Sequence, residues 1–166
     1  VGFGNVGVRL SNLVKGFDMK ILVNSKSLES RKSEYPHVEN ASFDDLVSKS
    51  DVLSFHCKAA ADGKPMLTKE HIKKMKSSSY IINAARGNIV DENDLNDALN
   101  EGLIAGAAVD VFSKEPAKEN ILFNNPKAVL TPHVAASTAE ASIVVAEMVA
   151  NQISDFLIKG KKINTV

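Results

Sequence analysis

The chain has 166 residues, and 20 Lys plus Arg balance 20 Asp plus Glu, so the formal net charge is zero. Charge alone therefore does not tie it to nucleic acid or to an acidic membrane, and neither is expected as a partner. Hydrophobic residues make up 44% of the chain, with 5% aromatics and no Trp, which excludes a disordered chain and predicts a core of Val, Ile, Leu and Ala.

Val1 leads directly into the glycine-rich turn Gly2-Phe3-Gly4-Asn5-Val6-Gly7. A helix follows, with Val6, Leu10, Leu13, Val14 and Phe17 on one face, and then a strand over 19–23. A weaker strand is predicted at 37–39. Ser42 with Asp45 marks a helix start, and strands follow at 52–56 and 80–83. Between them Lys69, Lys73, Lys74 and Lys76 read as a solvated helix face. Asp91 with Asp94 starts another helix, and strands are predicted at 107–109 and 128–130. Ser137 with Glu140 forms a capping box. Ala139, Ile143, Ala146, Ala150, Ile153 and Leu157 then recur in alternating steps of four and three as one helix face, stopped by Gly160. Short apolar runs alternating with amphipathic helices predict an α/β fold, a Rossmann-type doubly wound parallel sheet. Runs without polar alternation imply strands covered on both faces.

The turn is GxGxxG, followed by a helix and a strand, which is the second half of a dinucleotide-binding unit. Gly2 permits the tight turn, Gly4 lets backbone approach a pyrophosphate, and Gly7 lets helix pack on strand. Asn5 and Val6 present free N–H groups at the helix start. The acid expected near the end of the second strand is absent, and the place reads Val23-Asn24-Ser25-Lys26. Ser25 with Lys26, or nearby Arg31, suits the 2′-phosphate of NADP. Equally, Ser25 can hydrogen-bond the 2′-OH of NAD. The cofactor is thus NAD or NADP, with a lean to NADP.

Ligands of such sheets bind at the carboxyl ends of the strands. Strand 80–83 runs into Ala84-Ala85-Arg86-Gly87, strand 107–109 into Asp110, and strand 128–130 into Thr131-Pro132-His133. Taken singly, Arg86 also suits a surface ion pair, Glu115 a polar loop, and His133 a structural role. Their meeting at one rim suits oxidation of a 2-hydroxy acid. Arg86 would grip the carboxylate, His133 would move the hydroxyl proton, and a carboxylate behind it would orient the ring. The single cysteine, Cys57, excludes an intrachain disulfide and a cysteine zinc site. No metal is expected, and Cys57 reads as a small core residue. A reducing, cytoplasmic compartment fits. No unbroken apolar run approaches the roughly 18 residues of a membrane span, so no membrane is expected.

Four stretches, 2–7, 82–91, 106–112 with Glu115-Pro116, and 131–138, together resemble the D-isomer-specific 2-hydroxyacid dehydrogenases. The resemblance implies Arg86 as the substrate-binding arginine, His133 as acid/base, Glu115 as its paired acid, and Asp110 beside the nicotinamide carboxamide. Arg86 and Ala84 also fall among the implied cofactor contacts. Within the family the loop around Glu115 and the stretch 131–138 resemble the D-3-phosphoglycerate dehydrogenases of serine biosynthesis. Glyoxylate/hydroxypyruvate reductases are the alternative, and a dinucleotide-sensing corepressor is the alternative of another class. The chain departs from the family at Ser25 and in Cys57-Lys58-Ala59-Ala60-Ala61. By the same resemblance, residues 1–158 are a dinucleotide-binding domain lacking its first strand. Residues 159–166 start a return to a substrate domain, and the full-length protein is a homodimer.

Overall fold

The computed structural model describes residues 1–163. The last three residues of the expected return segment, 164–166, lie outside them. The chain divides into two compact units, one ending at His133 and the other starting at Val134.

In the first unit the glycine turn opens helix α1 (Asn5–Val14), followed by β1 (Ile21–Val23) and β2 (Val38–Asn40). Next come α2 (Phe43–Lys49), β3 (Val52–Phe55), α3 (Lys69–Ile72), β4 (Tyr80–Asn83), α4 (Glu92–Asn100), β5 (Gly106–Val109) and β6 (Ala128–Leu130). Every strand pairing is parallel, in a two-stranded sheet β1-β2 and a four-stranded sheet β3-β4-β5-β6. The predicted strands all form, with ends shifted by a residue or two. Ser42 caps α2 by accepting from the Asp45 N–H, and Asp91 caps α4 by accepting from the Asn93 and Asp94 N–H groups. The four clustered lysines each meet a carboxylate: Glu101, Glu70, Asp44 and Asp51 respectively.

Between β1 and β3 the sheet is interrupted. Val1 lies there, its amino group donating to the Ser54 carbonyl (2.7 Å) and its carbonyl accepting from the His56 N–H (2.8 Å). Gly2 N–H reaches the other way, to the Asn24 carbonyl (2.9 Å). A cavity of about 700 Å³ opens beside them, lined by Leu10, Val14, Leu22, Leu53, Ser54 and Ile82 among others.

Two departures from expectation accompany this cavity. The apolar face of α1 is not buried: Val6 and Leu13 are exposed, as is Phe17 in the short turn of helix that follows, and the buried positions of α1 are Gly7 and Ser11. Leu10 and Val14 line the cavity instead of meeting a strand. The four-stranded sheet is also fully covered on one face only. Leu53, Phe55, Ile81, Asn83, Ala107 and Val109 are buried, whereas Ser54, Ile82 and Ala108 on the other face are half-buried and Val129 is exposed. The core is not purely aliphatic either, since Phe3, Phe55 and Phe112 are buried in it.

The second unit contains α5 (Ala139–Lys159). Thr138 rather than Ser137 is its cap, with its hydroxyl accepting from Ala141 N–H, because the helix starts at Ala139, one residue later than the Ser137 cap requires, after a turn in which Ser137 N–H donates to the Val134 carbonyl. Gly160 ends the helix in the left-handed region at φ +65°. The expected helix face is uncovered among the described residues: Ile143, Ile153 and Leu157 are all exposed. By length and composition alone α5 is apolar enough to cross a membrane, with a mean hydropathy of 1.4 over its best window. The sequence expectation missed this because Glu147, Gln152 and Asp155 interrupt the apolar run without lowering its average far enough.

Candidate active site

The glycine turn has the shape of a phosphate cradle. Gly2 sits at φ +87°, and a Cβ there would lie 2.6 Å from the His56 carbonyl oxygen. A Cβ on Gly7 would lie 2.5 Å from the Gly2 oxygen, so the helix start is pressed onto the turn. Gly4 faces open space, with nothing within 4 Å of an added Cβ. The first N–H groups of α1, at Asn5 and Val6, have no partner from a capping side chain. These are the features that fit a dinucleotide pyrophosphate: a tight turn, an open approach, and the positive end of a helix.

Ser25 and Lys26 follow β1 directly, and the Gly2–Asn24 hydrogen bond holds that strand end beside the turn. Ser25 is half-buried with its hydroxyl 3.0 Å from the Ser27 hydroxyl, and Lys26 is exposed. Arg31 is committed elsewhere: its guanidinium lies 5.0 Å over the Tyr35 ring, donates to the Tyr35 hydroxyl and approaches Glu34. Cys57 is half-buried against the core, and burial pushes its thiol above the ordinary value, which suits an inert residue.

At the other half of the rim, hydrogen bonds link the strand ends in series. Asp110 N–H donates to the Asn83 carbonyl (2.9 Å), and Thr131 N–H to the Val109 carbonyl (3.1 Å). The Thr131 hydroxyl donates to Asp110, which is buried. Buried Asn83 shapes the turn that carries Arg86: its amide donates to the Arg86 carbonyl (2.9 Å) and its oxygen accepts from Ala85 N–H (3.2 Å). Ala84 and Arg86 are exposed, and the Arg86 guanidinium donates to the Ala85 carbonyl (2.6 Å).

His133 and Glu115 meet. His133 Nδ1 lies 2.7 Å from Glu115 Oε2, so Nδ1 carries the shared hydrogen and Nε2 is left for proton transfer. His133 is held in the left-handed region at φ +56°, which is uncommon for a residue with a side chain. Pro132 stops β6 just before it. Glu115 Oε1 accepts from Phe112 N–H (2.9 Å). That hydrogen bond, and after it the one from His133, hold the Glu115 carboxyl below its ordinary value of 4.5. A largely apolar cavity of about 560 Å³ lies against the pair, walled by Phe112, Pro116, Phe123 and Leu130 among others.

Of the expected site residues, then, the structure joins Glu115 to His133 and sets Arg86 and Asp110 on neighbouring strand ends. Arg86 is placed at the rim without touching the pair. Sequence reasoning missed Asn83, Gly87 and Glu92. An Asn closing a strand before a turn was the one available signal, because Asn side chains bond nearby backbone.

A family model described as the D-isomer specific 2-hydroxyacid dehydrogenase NAD binding domain matches residues 1–135. The chain belongs to this family. Its matched segment is the family's NAD-binding domain. A glyoxylate reductase of Thermococcus litoralis is 38% identical over 156 residues, covering 94% of this chain and 47% of the relative. A D-3-phosphoglycerate dehydrogenase of Bacillus subtilis is 35% identical over 156 residues, covering 94% of this chain and 30% of the relative. Among solved structures, an acyclic imino acid reductase in complex with NADPH and D-Arg superposes with a TM-score of 0.88 at 28% identity, covering 99% of this chain and 52% of that one. This chain of the 2-hydroxyacid dehydrogenase family thus spans about half, or less, of the length of the relatives it matches.

Proposed function

We propose that the full-length protein is an oxidoreductase that transfers a hydride between NAD(P) and a small D-2-hydroxy acid or its 2-oxo acid. The observation that carries this reading is the Glu115–His133 pair at 2.7 Å on the strand-end rim that also bears Arg86. Gly2, Gly4 and Gly7 would cradle the coenzyme, with Asn5 and Val6 N–H toward its phosphates, and Ser25 and Lys26 toward the adenosine ribose. Ala84, Arg86 and Asp110 would line its nicotinamide end. When bound, it supplies or accepts the hydride. Arg86 binds the substrate carboxylate. In reduction, His133 Nε2 gives its proton to the substrate carbonyl oxygen, and in oxidation it takes the hydroxyl proton back. Glu115 holds the ring in the tautomer this requires and offsets the imidazolium charge.

For the substrate we favour glyoxylate or hydroxypyruvate. Ser25-Lys26 suits NADP, and the relative at 38% identity is a glyoxylate reductase. 3-Phosphohydroxypyruvate, the expectation from the loop around Glu115, is the second reading, and the relative at 35% identity supports it. The test is turnover of the full-length protein with NADH and NADPH on all three oxo acids. Preference for NADPH is expected, and Ser25→Asp should weaken NADPH binding about 100-fold by setting a carboxylate against the 2′-phosphate. Preference for NADH, untouched by that change, refutes the phosphate reading. Coenzyme binding without turnover on any oxo acid points to a sensor.

We further read residues 1–158 as a dinucleotide-binding domain whose sheet takes one more parallel strand, between β1 and β3. The interruption there, the cavity of about 700 Å³ and the hydrogen bonds of Val1 to Ser54 and His56 support it. Residues 159–166 are read as the start of a return to a substrate domain, and the protein as a homodimer. Residues 1–166 alone are expected to lack turnover and to unfold less cooperatively than the full-length protein in calorimetry. Cooperative unfolding with turnover would refute this.

A further inference from the structure

We infer that Glu92 is a positioning residue for the Glu115–His133 pair, because it clamps both ends of the loop that carries Glu115. This inference rests on the reading of that pair as the acid/base. Glu92 is the first residue of α4, and its place is fixed by the Asp91 cap and by the burial of Leu95, Ala98 and Leu99 one face down. One carboxylate oxygen, Oε1, accepts from Ser113 N–H at 2.6 Å. The other, Oε2, accepts from the Ser113 hydroxyl and from the Asn120 amide, both at 2.8 Å. Ser113 opens the loop and Asn120 closes it. Asn120 is itself anchored, its Oδ1 accepting from Leu122 N–H at 3.0 Å ahead of the buried Leu122.

The loop has little else to hold it. From residue 113 to 119 every residue is exposed except Ala117, which is half-buried. Half-buried Ala117 packs against the core, and the rest of the stretch is set by polar tethers. Glu115 lies two residues after the first tether, and its Oε1 bonds back to Phe112, one residue before it. Releasing Ser113 therefore shifts the carboxylate on which the orientation of His133 depends. A displacement on the ångström scale is enough to lower turnover by about 100-fold in a preorganised site.

The experiment uses the full-length protein, its best oxo acid and its coenzyme. Glu92→Ala should lower kcat by about 10-fold to 100-fold, with KM for the coenzyme unchanged, because the glycine turn lies elsewhere. Glu92→Gln should recover only part of the loss, to about the level of Asn120→Ala, since its oxygen still accepts from Ser113 N–H and its amide can donate to the Ser113 hydroxyl, whereas that amide faces the Asn120 amide donor and releases this end of the loop. Asn120→Ala removes one tether and should give a smaller loss, which keeps the test open if Glu92→Ala folds poorly. The decisive measurement is the double variant. In a Glu115→Ala background, Glu92→Ala should cost no further kcat, since the two changes act through one group. An equal loss with and without Glu115 overturns the positioning role, and so does a Glu92→Ala enzyme at full kcat. Full kcat in Glu115→Ala alone overturns the reading of the pair and the positioning role with it. Failure of the clamp alone looks different: low kcat in Glu115→Ala with full kcat in Glu92→Ala.

Discussion

Replacing His133 by alanine in the full-length protein is expected to lower kcat for oxo-acid reduction about 1,000-fold while coenzyme binding is unchanged. A positioned general acid contributes roughly 10²- to 10⁴-fold, and His133 is the imidazole that the strand-end rim presents beside Glu115. Coenzyme affinity should hold because His133 follows β6 and is no part of the glycine turn Gly2–Gly7 that precedes α1. His133→Asn is the sharper control. Asn tolerates the left-handed backbone that His133 occupies at φ +56°, so it removes the imidazole without new backbone strain. Turnover within tenfold of wild type in both variants would remove His133 from the chemistry. Loss of coenzyme binding in both would make it a structural residue. The pH dependence has a definite sign. The Glu115 carboxyl is depressed below 4.5 by the Phe112 N–H and by His133. Its contribution to stability is therefore fully present above about pH 4.5 and is lost as pH falls through the depressed value. Activity changes above pH 5 do not come from Glu115.

The parallel sheet and the rim were legible because they rest on local signals. Gly and Pro mark the turns, Ser42 and Asp91 mark helix starts, and the apolar runs are separated by helix-length spacers. The order of the strand ends then followed from the rule that parallel strands point the same way. What was illegible was long-range. Nothing local tells that Phe17 and Leu13 stand in solvent, since that depends on which strand lies beneath α1. Nor does sequence show that Glu92 reaches 28 positions ahead to Asn120, or that Arg31 spends its charge on Tyr35 and Glu34. Such polar contacts carry no periodicity. Gly87 was passed over for a related reason: a glycine after an arginine reads as an ordinary turn until the partner backbone is seen.

That partner makes Gly87→Ala the most damaging single methyl group expected in this chain. A Cβ at Gly87 would lie 2.0 Å from the Phe112 carbonyl carbon and oxygen and 2.4 Å from the Ser113 nitrogen. All three are backbone atoms, so no side chain can turn aside. Either the Arg86 turn or the loop leading to Glu115 must move. Overpacking of a rigid site costs about 3 kcal/mol at the upper end of its usual range. At this chain size that corresponds to a fall in Tm of roughly 6–12 °C. The two segments that separate are the one carrying Arg86, the proposed carboxylate binder, and the one carrying Glu115, so kcat should fall even in the fraction that folds. Gly4→Ala supplies the contrast. Nothing lies within 4 Å of a Cβ there, and the backbone is not in the left-handed region. Its Tm should match wild type while its coenzyme affinity falls, because the new methyl group stands where we propose that the pyrophosphate approaches. Equal Tm values for Gly87→Ala and Gly4→Ala would show that the contact of the Arg86 turn with Phe112 is not rigid. An unchanged coenzyme affinity in Gly4→Ala would place the phosphates away from the glycine turn.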